Sequence, residues 1–162
     1  EVKGGLSTLV DGFAVAEYLR KNHQDIFKIL TNTKVRFRFV DKTIILENWG
    51  ELIELDENNK VKQVRYSTRL DYVPALEKNE LKKFYEARKL IADLYASSKF
   101  EIKFRLKKGD LLMMDNHRLL HGRTSYDISE GKRYLKGCYI DHDSTEGKLR
   151  HLERKFNLKW KK

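Results

Sequence analysis

The residues with the most chemistry to offer lie between Asp115 and Asp141. The segment reads DNHRLLHGR, then a short polar stretch, then KRYLKGCYID. His121 follows an apolar run at residues 111–114, and Gly122 and Arg123 come directly after it. Arg133 stands twelve residues further on and opens a second strand-like run. A neutral imidazole is a good ligand for iron, zinc or copper. A guanidinium on a rigid strand holds a carboxylate through two parallel hydrogen bonds. One metal ligand and one carboxylate clamp at this spacing point to half of a metal site that handles an organic acid.

The other half would be a second histidine and a carboxylate, since non-haem iron oxygenases hold the metal with two His and one Asp or Glu and leave positions open. No such pair is visible. His117 lies four residues before His121, but Arg118-Leu119-Leu120 separates them, with no general-base Glu as in helical zinc sites. On a strand the two would lie roughly 13 Å apart. His151-Leu152-Glu153 has the right form but falls in a Leu-spaced helical tail, where a solvated face is expected. His142 stands between Asp141 and Asp143 without forming His-x-Asp, and His23 has no carboxylate two residues on.

Arg133 is either a carboxylate clamp, for example for the distal carboxylate of 2-oxoglutarate, or an ordinary ion-paired arginine. Arg123 is a weaker candidate for the same work. Tyr139 lies six residues after Arg133 and shares its face on a regular strand. There it is either a core tyrosine or an aromatic surface for a quaternary ammonium. Cys138 is the only cysteine, so no internal disulfide forms, and a buried structural thiol is expected.

The elements that must position these groups follow from periodicity. Residues 34–40 alternate Val35, Phe37 and Phe39 with Lys34, Arg36 and Arg38, which is a half-buried strand. Residues 99–106 alternate as cleanly. Further strands are expected at 6–10, 43–47, 52–55, 61–66, 111–114 and 133–141, with a turn at residues 56–59. Helices are expected at 13–22, 24–30, 80–96 and 144–156. Asn79 is the expected cap of the third, and Phe84, Ala87, Ile91, Leu94 and Tyr95 form its core stripe. Strands and helices do not alternate as in a doubly wound sheet, so an antiparallel sandwich or barrel with flanking helices is expected.

The chain has 162 residues and a net charge of +10. One domain over residues 1–162 is the natural expectation. The basic residues are interleaved with 24 acidic ones and no nucleic-acid-binding motif accompanies them, so a solvated lysine-rich surface is expected rather than a nucleic-acid partner. No apolar run is long enough to span a bilayer, and no membrane partner is expected. The sequence opens on Glu1, and the expectation is that it begins inside a longer polypeptide.

Four blocks now carry a resemblance: GGLSTLVDGF (residues 4–13), FRLKKGDLLMMDN (104–116), LLHGRTSY (119–126) and RYLKGCYIDHD (133–143). Together, and in this order, they resemble the γ-butyrobetaine and trimethyllysine dioxygenases of carnitine biosynthesis, within the taurine-dioxygenase-like Fe(II)/2-oxoglutarate oxygenases. The resemblance implies a β-rich α+β fold, here the C-terminal part of a double-stranded β-helix (jelly-roll) with flanking helices. It implies that His121 binds iron, that Arg133 binds 2-oxoglutarate, and that Tyr139 helps cage a trimethylammonium group. The implied reaction is hydroxylation of a small trimethylammonium-bearing acid, with Fe(II), 2-oxoglutarate as cosubstrate and ascorbate as a candidate reductant. Cytoplasmic and mitochondrial locations are both open, as is a homodimer.

Three departures accompany the resemblance. The family's His-x-Asp lies upstream of the Gly-Gly block, so the iron site is expected to be incomplete here and the isolated chain inactive. Where the family tends to carry paired Asn after an Arg-aromatic, this chain has Arg65-Tyr66-Ser67-Thr68, which leaves the substrate open. Position 117, usually Trp in these enzymes, is His.

Overall fold

The computed structural model describes residues 4–72, 74–127 and 134–158. The chain divides into two units, residues 2–127 and residues 128–162.

In the first unit, β1 (Ser7–Asp11) runs straight into α1 (Gly12–Asn22). The switch happens at Asp11, whose Oδ1 accepts hydrogen bonds from the Phe13 and Ala14 amides at 3.0 and 3.3 Å. Those amides have no intrahelical acceptor, so the carboxylate supplies one. α2 (Gln24–Asn32) follows, then β2 (Lys34–Val40) and β3 (Ile45–Glu51) as an antiparallel hairpin. Its turn is closed by Asp41 Oδ1, which accepts from the Thr43 and Ile44 amides at 2.7 and 3.2 Å. A second hairpin pairs β4 (Ile53–Leu55) with β5 (Val61–Val64). Asp56 and Asn59 make its turn, as the cluster of turn residues predicts, with Asn59 at φ +58°.

α3 (Lys78–Tyr95) is the longest helix. β6 (Glu101–Phe104) and β7 (Leu119–Arg123) then flank β1 in a three-stranded antiparallel sheet of order β6-β1-β7. The core sits where α1, α2 and α3 meet β2 and β4. Val15, Ala16 and Leu19 of α1 pack with Phe27 and Leu30, with Phe84, Ala87, Ile91 and Tyr95, and with Val35, Leu52 and Ile53. The α3 stripe is therefore core, as its spacing predicts. Val10 of β1 joins this cluster and Leu120 of β7 packs against it. The second unit contains α4 (His142–Phe156), none of whose residues is buried.

Several expectations change. α3 begins at Lys78, because the Leu81 amide bonds the Glu77 carbonyl at 2.8 Å, so Asn79 lies inside the first turn rather than capping it. The strand expected over 99–106 shrinks to β6. Its first residues are drawn into the turn that leaves α3, where the Phe100 and Glu101 amides bond the Ser97 carbonyl at 3.1 and 2.9 Å. Residues 111–114 form no strand, and Leu111 is 91% exposed. Residues 134–141 form none either; among the described residues no partner strand pairs with them, and a strand exists only by pairing. The β-rich expectation is met in part: among the described residues all pairings are antiparallel, but they form three small sheets, and four helices outweigh the strands.

Candidate functional site

His121 sits in β7 directly opposite Leu9 of β1. The next pair along, Val10 and Leu120, faces the core. Side chains alternate between the faces of a sheet, so Leu9 and His121 point the other way. The bonds that flank the ladder, Thr124 N to Leu6 O and Gly12 N to Arg118 O, both 3.0 Å, make Leu9–His121 a non-hydrogen-bonded pair. Such pairs have the closest Cα atoms, about 4.5 Å apart. On the far side of β1, Leu9 is paired with Ile102 of β6, which is 60% exposed. His121 therefore stands at one edge of an open row that is otherwise aliphatic. It is exposed, and among the described residues none hydrogen-bonds its imidazole.

The stretch that leads into β7 is a tight turn rather than the strand assumed when His117 was set 13 Å from His121. Asp115 organises it: its carbonyl accepts from the Arg118 and Leu119 amides at 3.2 and 2.9 Å, and its Oδ1 from the His117 amide at 2.9 Å. The His117 carbonyl in turn accepts from the Val64 amide of β5 at 2.9 Å. The pair is not helical, so the helical zinc arrangement is absent, as expected. No spacing signal gives His117 a role.

At the end of the β1–β7 ladder, Arg118 closes on Asp11. Arg118 Nη2 donates to Asp11 Oδ2 at 2.6 Å, and Nε lies 3.2 and 3.3 Å from the two carboxylate oxygens. The guanidinium holds the Asp11 carboxyl below its usual range; partial burial opposes this, and the Ala14 and Phe13 amides add to it. Asp11 thus lies on the His121 face of the sheet, but its oxygens are taken by the helix cap and by Arg118. Its sequence signal was the Asp-Gly that ends a strand and caps a helix. Arg118 has no local signal, because its partner is 107 residues away.

Gly12 explains how closely these parts meet. A Cβ there would lie 2.3 Å from Val64 Cγ2 and 2.9 Å from the Arg118 carbonyl. Arg123, the weaker clamp candidate, lies over the Tyr126 ring at 4.0 Å. Arg133 lies outside the described residues. Tyr139 belongs to the second unit and is 86% exposed, on a stretch without strand structure. The reading that put Arg133 and Tyr139 on one strand face therefore loses its strand. Cys138 is exposed, not buried, on the same stretch without strand structure.

An exposed imidazole that no described residue hydrogen-bonds, with Leu9 as its cross-strand neighbour, is free to serve as a metal ligand. The chain belongs to the family described as taurine catabolism dioxygenase TauD, TfdA family, whose model matches residues 1–139. It is 34% identical to the γ-butyrobetaine dioxygenase of Homo sapiens over 159 residues, covering 95% of this chain and 41% of that protein. It is 31% identical to the γ-butyrobetaine dioxygenase of Pseudomonas sp. (strain AK-1), covering 95% of this chain and 40% of that protein. It is 32% identical to the trimethyllysine dioxygenase of Meyerozyma guilliermondii, covering 94% and 39%. The chain thus spans about 40% of the length of these relatives.

Proposed function

We propose that this chain is the C-terminal part of the catalytic domain of an Fe(II)/2-oxoglutarate-dependent dioxygenase. The substrate class is a trimethylammonium-bearing acid such as γ-butyrobetaine or trimethyllysine. The observation that carries the reading is the placement of His121. His121, which the resemblance matches to the family's iron-binding histidine, lies on the face of the β6-β1-β7 sheet opposite the core side, and no described residue hydrogen-bonds its ring. That sheet would form part of one wall of a double-stranded β-helix, with His121 pointing inward.

In this reading His121 supplies one ligand to Fe(II), and an upstream His-x-Asp supplies the others. Iron, when bound, couples the oxidative decarboxylation of 2-oxoglutarate by dioxygen to hydroxylation of the substrate, giving succinate and carbon dioxide. Ascorbate would keep the metal reduced. The work of this chain is to hold and orient. Arg133 binds the distal carboxylate of 2-oxoglutarate through its planar fork. Tyr139 offers a ring face to the trimethylammonium group. Leu9, paired with His121, would offer an apolar neighbour to the ligand.

The test is turnover by the full-length protein, read as succinate formed with each candidate substrate. His121→Ala and Arg133→Ala should each reduce it by at least a hundredfold, the second through a raised 2-oxoglutarate requirement. Tyr139→Leu should raise KM for the substrate with a smaller change in kcat. Wild-type turnover by His121→Ala would remove the proposal. Succinate formation without hydroxylation of either compound would keep the class and replace the substrate. The Arg65-Tyr66-Ser67-Thr68 departure from the family pattern makes that second outcome a specific alternative.

A further inference from the structure

We propose that Asp11 and Arg118 are a positioning pair for His121. The inference rests on the reading of His121 as a metal ligand and adds a residue pair that the motif does not single out.

The ladder between β1 and β7 ends at the pair Asp11–Leu119, only one pair beyond Val10–Leu120 and two from Leu9–His121. Leu9–His121 is the central pair of a five-pair ladder, so only two pairs on either side fix its register. The fault that matters there is a register slip. Moving β7 by one residue turns every side chain to the other face, which would carry the imidazole from the open face into the core. A functional site needs its ligand held within a fraction of an ångström, by partners that fix the strand as well as the side chain.

The clamp acts at this end and from both chain directions. Asp11 is immobilised by the α1 amides of Phe13 and Ala14. Arg118 meets it through Nη2 and Nε, while the Arg118 carbonyl accepts the Gly12 amide at 3.0 Å. The guanidinium also lies over the Phe13 ring at 5.5 Å. One residue thus joins the start of β7 to the end of β1 through its backbone, a charged fork and a ring contact. The two side chains remain 52% and 35% exposed. An ion pair with that exposure contributes little to global stability, so its effect is local, on the register of the short strand that carries His121.

The experiment uses the full-length protein with Co(II) as probe, titrated without substrate and read by its visible absorption bands. Arg118→Gln and Asp11→Ser each break the clamp, and Ser keeps the α1 cap. Each should weaken Co(II) binding about tenfold, the scale of losing a partner that orients a ligand, and should change the band shape. The melting temperature of the metal-free protein should move little. The double variant should be no weaker than either single one, and Arg118→Lys should recover part of the affinity. Wild-type affinity and spectrum in both single variants would overturn the clamp. So would an affinity loss matched by a large fall in melting temperature in both. His121→Ala separates this from the parent reading: if it binds Co(II) like wild type, the ligand assignment itself fails.

Discussion

Arg88 of α3 grips Asp71 through two nitrogens, Nη2 at 2.6 Å and Nε at 3.0 Å, and its Nη2 also donates to the Ser67 carbonyl at 3.1 Å. The same guanidinium lies 5.0 Å over the Tyr66 ring. Segment 66–72, which carries the Ser67-Thr68 departure from the family's paired Asn, is thus tied to the longest helix. The segment also borders β2, since the Arg38 amide bonds the Leu70 carbonyl and the Tyr72 amide bonds the Arg36 carbonyl, both at 2.8 Å.

The Asp71 side chain is only 7% exposed, so removing its partner strands a nearly buried charge. Arg88→Met should destabilise the protein by about 3 kcal/mol, at the lower end for a broken buried pair because Arg88 itself is partly solvated. Urea denaturation measures it. Replacing Asp71 by Asn in the same protein should restore part of the loss, because the stranded charge is then gone. A loss under about 0.5 kcal/mol in the single variant would mean that water already solvates the carboxylate.

Gly12→Ala places a methyl 2.3 Å from Val64 Cγ2 and 2.9 Å from a backbone oxygen. The side chain can turn aside but the carbonyl cannot. Overpacking of this kind costs about 1–3 kcal/mol. Because the carbonyl is that of Arg118, amide exchange should quicken first at the start of β7. A protein as stable as wild type with unchanged exchange there would contradict the contact.

The Tyr95 hydroxyl is buried and has no hydrogen-bond partner among the described residues, and burial pushes its ionisation upward. A neutral hydroxyl left unpaired in a core costs free energy, whereas Phe fills the same ring volume. Tyr95→Phe should be as stable as wild type or more stable by up to about 1 kcal/mol. The T-shaped contact with Tyr66, centroids 5.3 Å apart, is retained. A loss beyond 1 kcal/mol would reveal a partner for the hydroxyl, such as an internal water.

Acid should weaken the first unit chiefly through Glu54, with Asp11 adding only a small, local part. Lys62 holds the Glu54 carboxyl below its usual range, burial opposes it, and Arg65 adds to the effect. A carboxyl depressed in the folded state contributes stability that is present above its unfolded pKa and lost as pH falls toward the folded value. The reference values are 4.5 for Glu54 and 3.8 for Asp11, so the loss belongs below about pH 4.5. Glu54→Gln should lower the melting temperature at pH 6 and flatten its fall between pH 4.5 and 2.5. An unchanged slope in that window would show that Glu54 titrates alike in both states.

Much of the local structure was legible in the chain. The alternation at residues 34–40 matches β2, Phe84, Ala87, Ile91 and Tyr95 of the α3 stripe are buried, and Asp56 to Asn59 make the expected turn. The four motif blocks also sufficed for the family. These features depend on neighbours two to four residues apart, so a linear reading can find them. Where alternation overreached, as at residues 99–106 and 111–114, a hydrogen-bonded turn had taken the strand's ends or no partner strand was there to pair with it.

The sequence alone therefore determined the periodic elements, the metal-ligand candidate and the family. Tertiary structure decided that His121 points away from the core, that Gly12 admits no side chain, and that Arg118 closes on an Asp 107 residues away. The reason is physical. Periodicity is a property of the backbone within a turn or two, while register and pairing depend on which distant strand reaches the edge first and satisfies its amides.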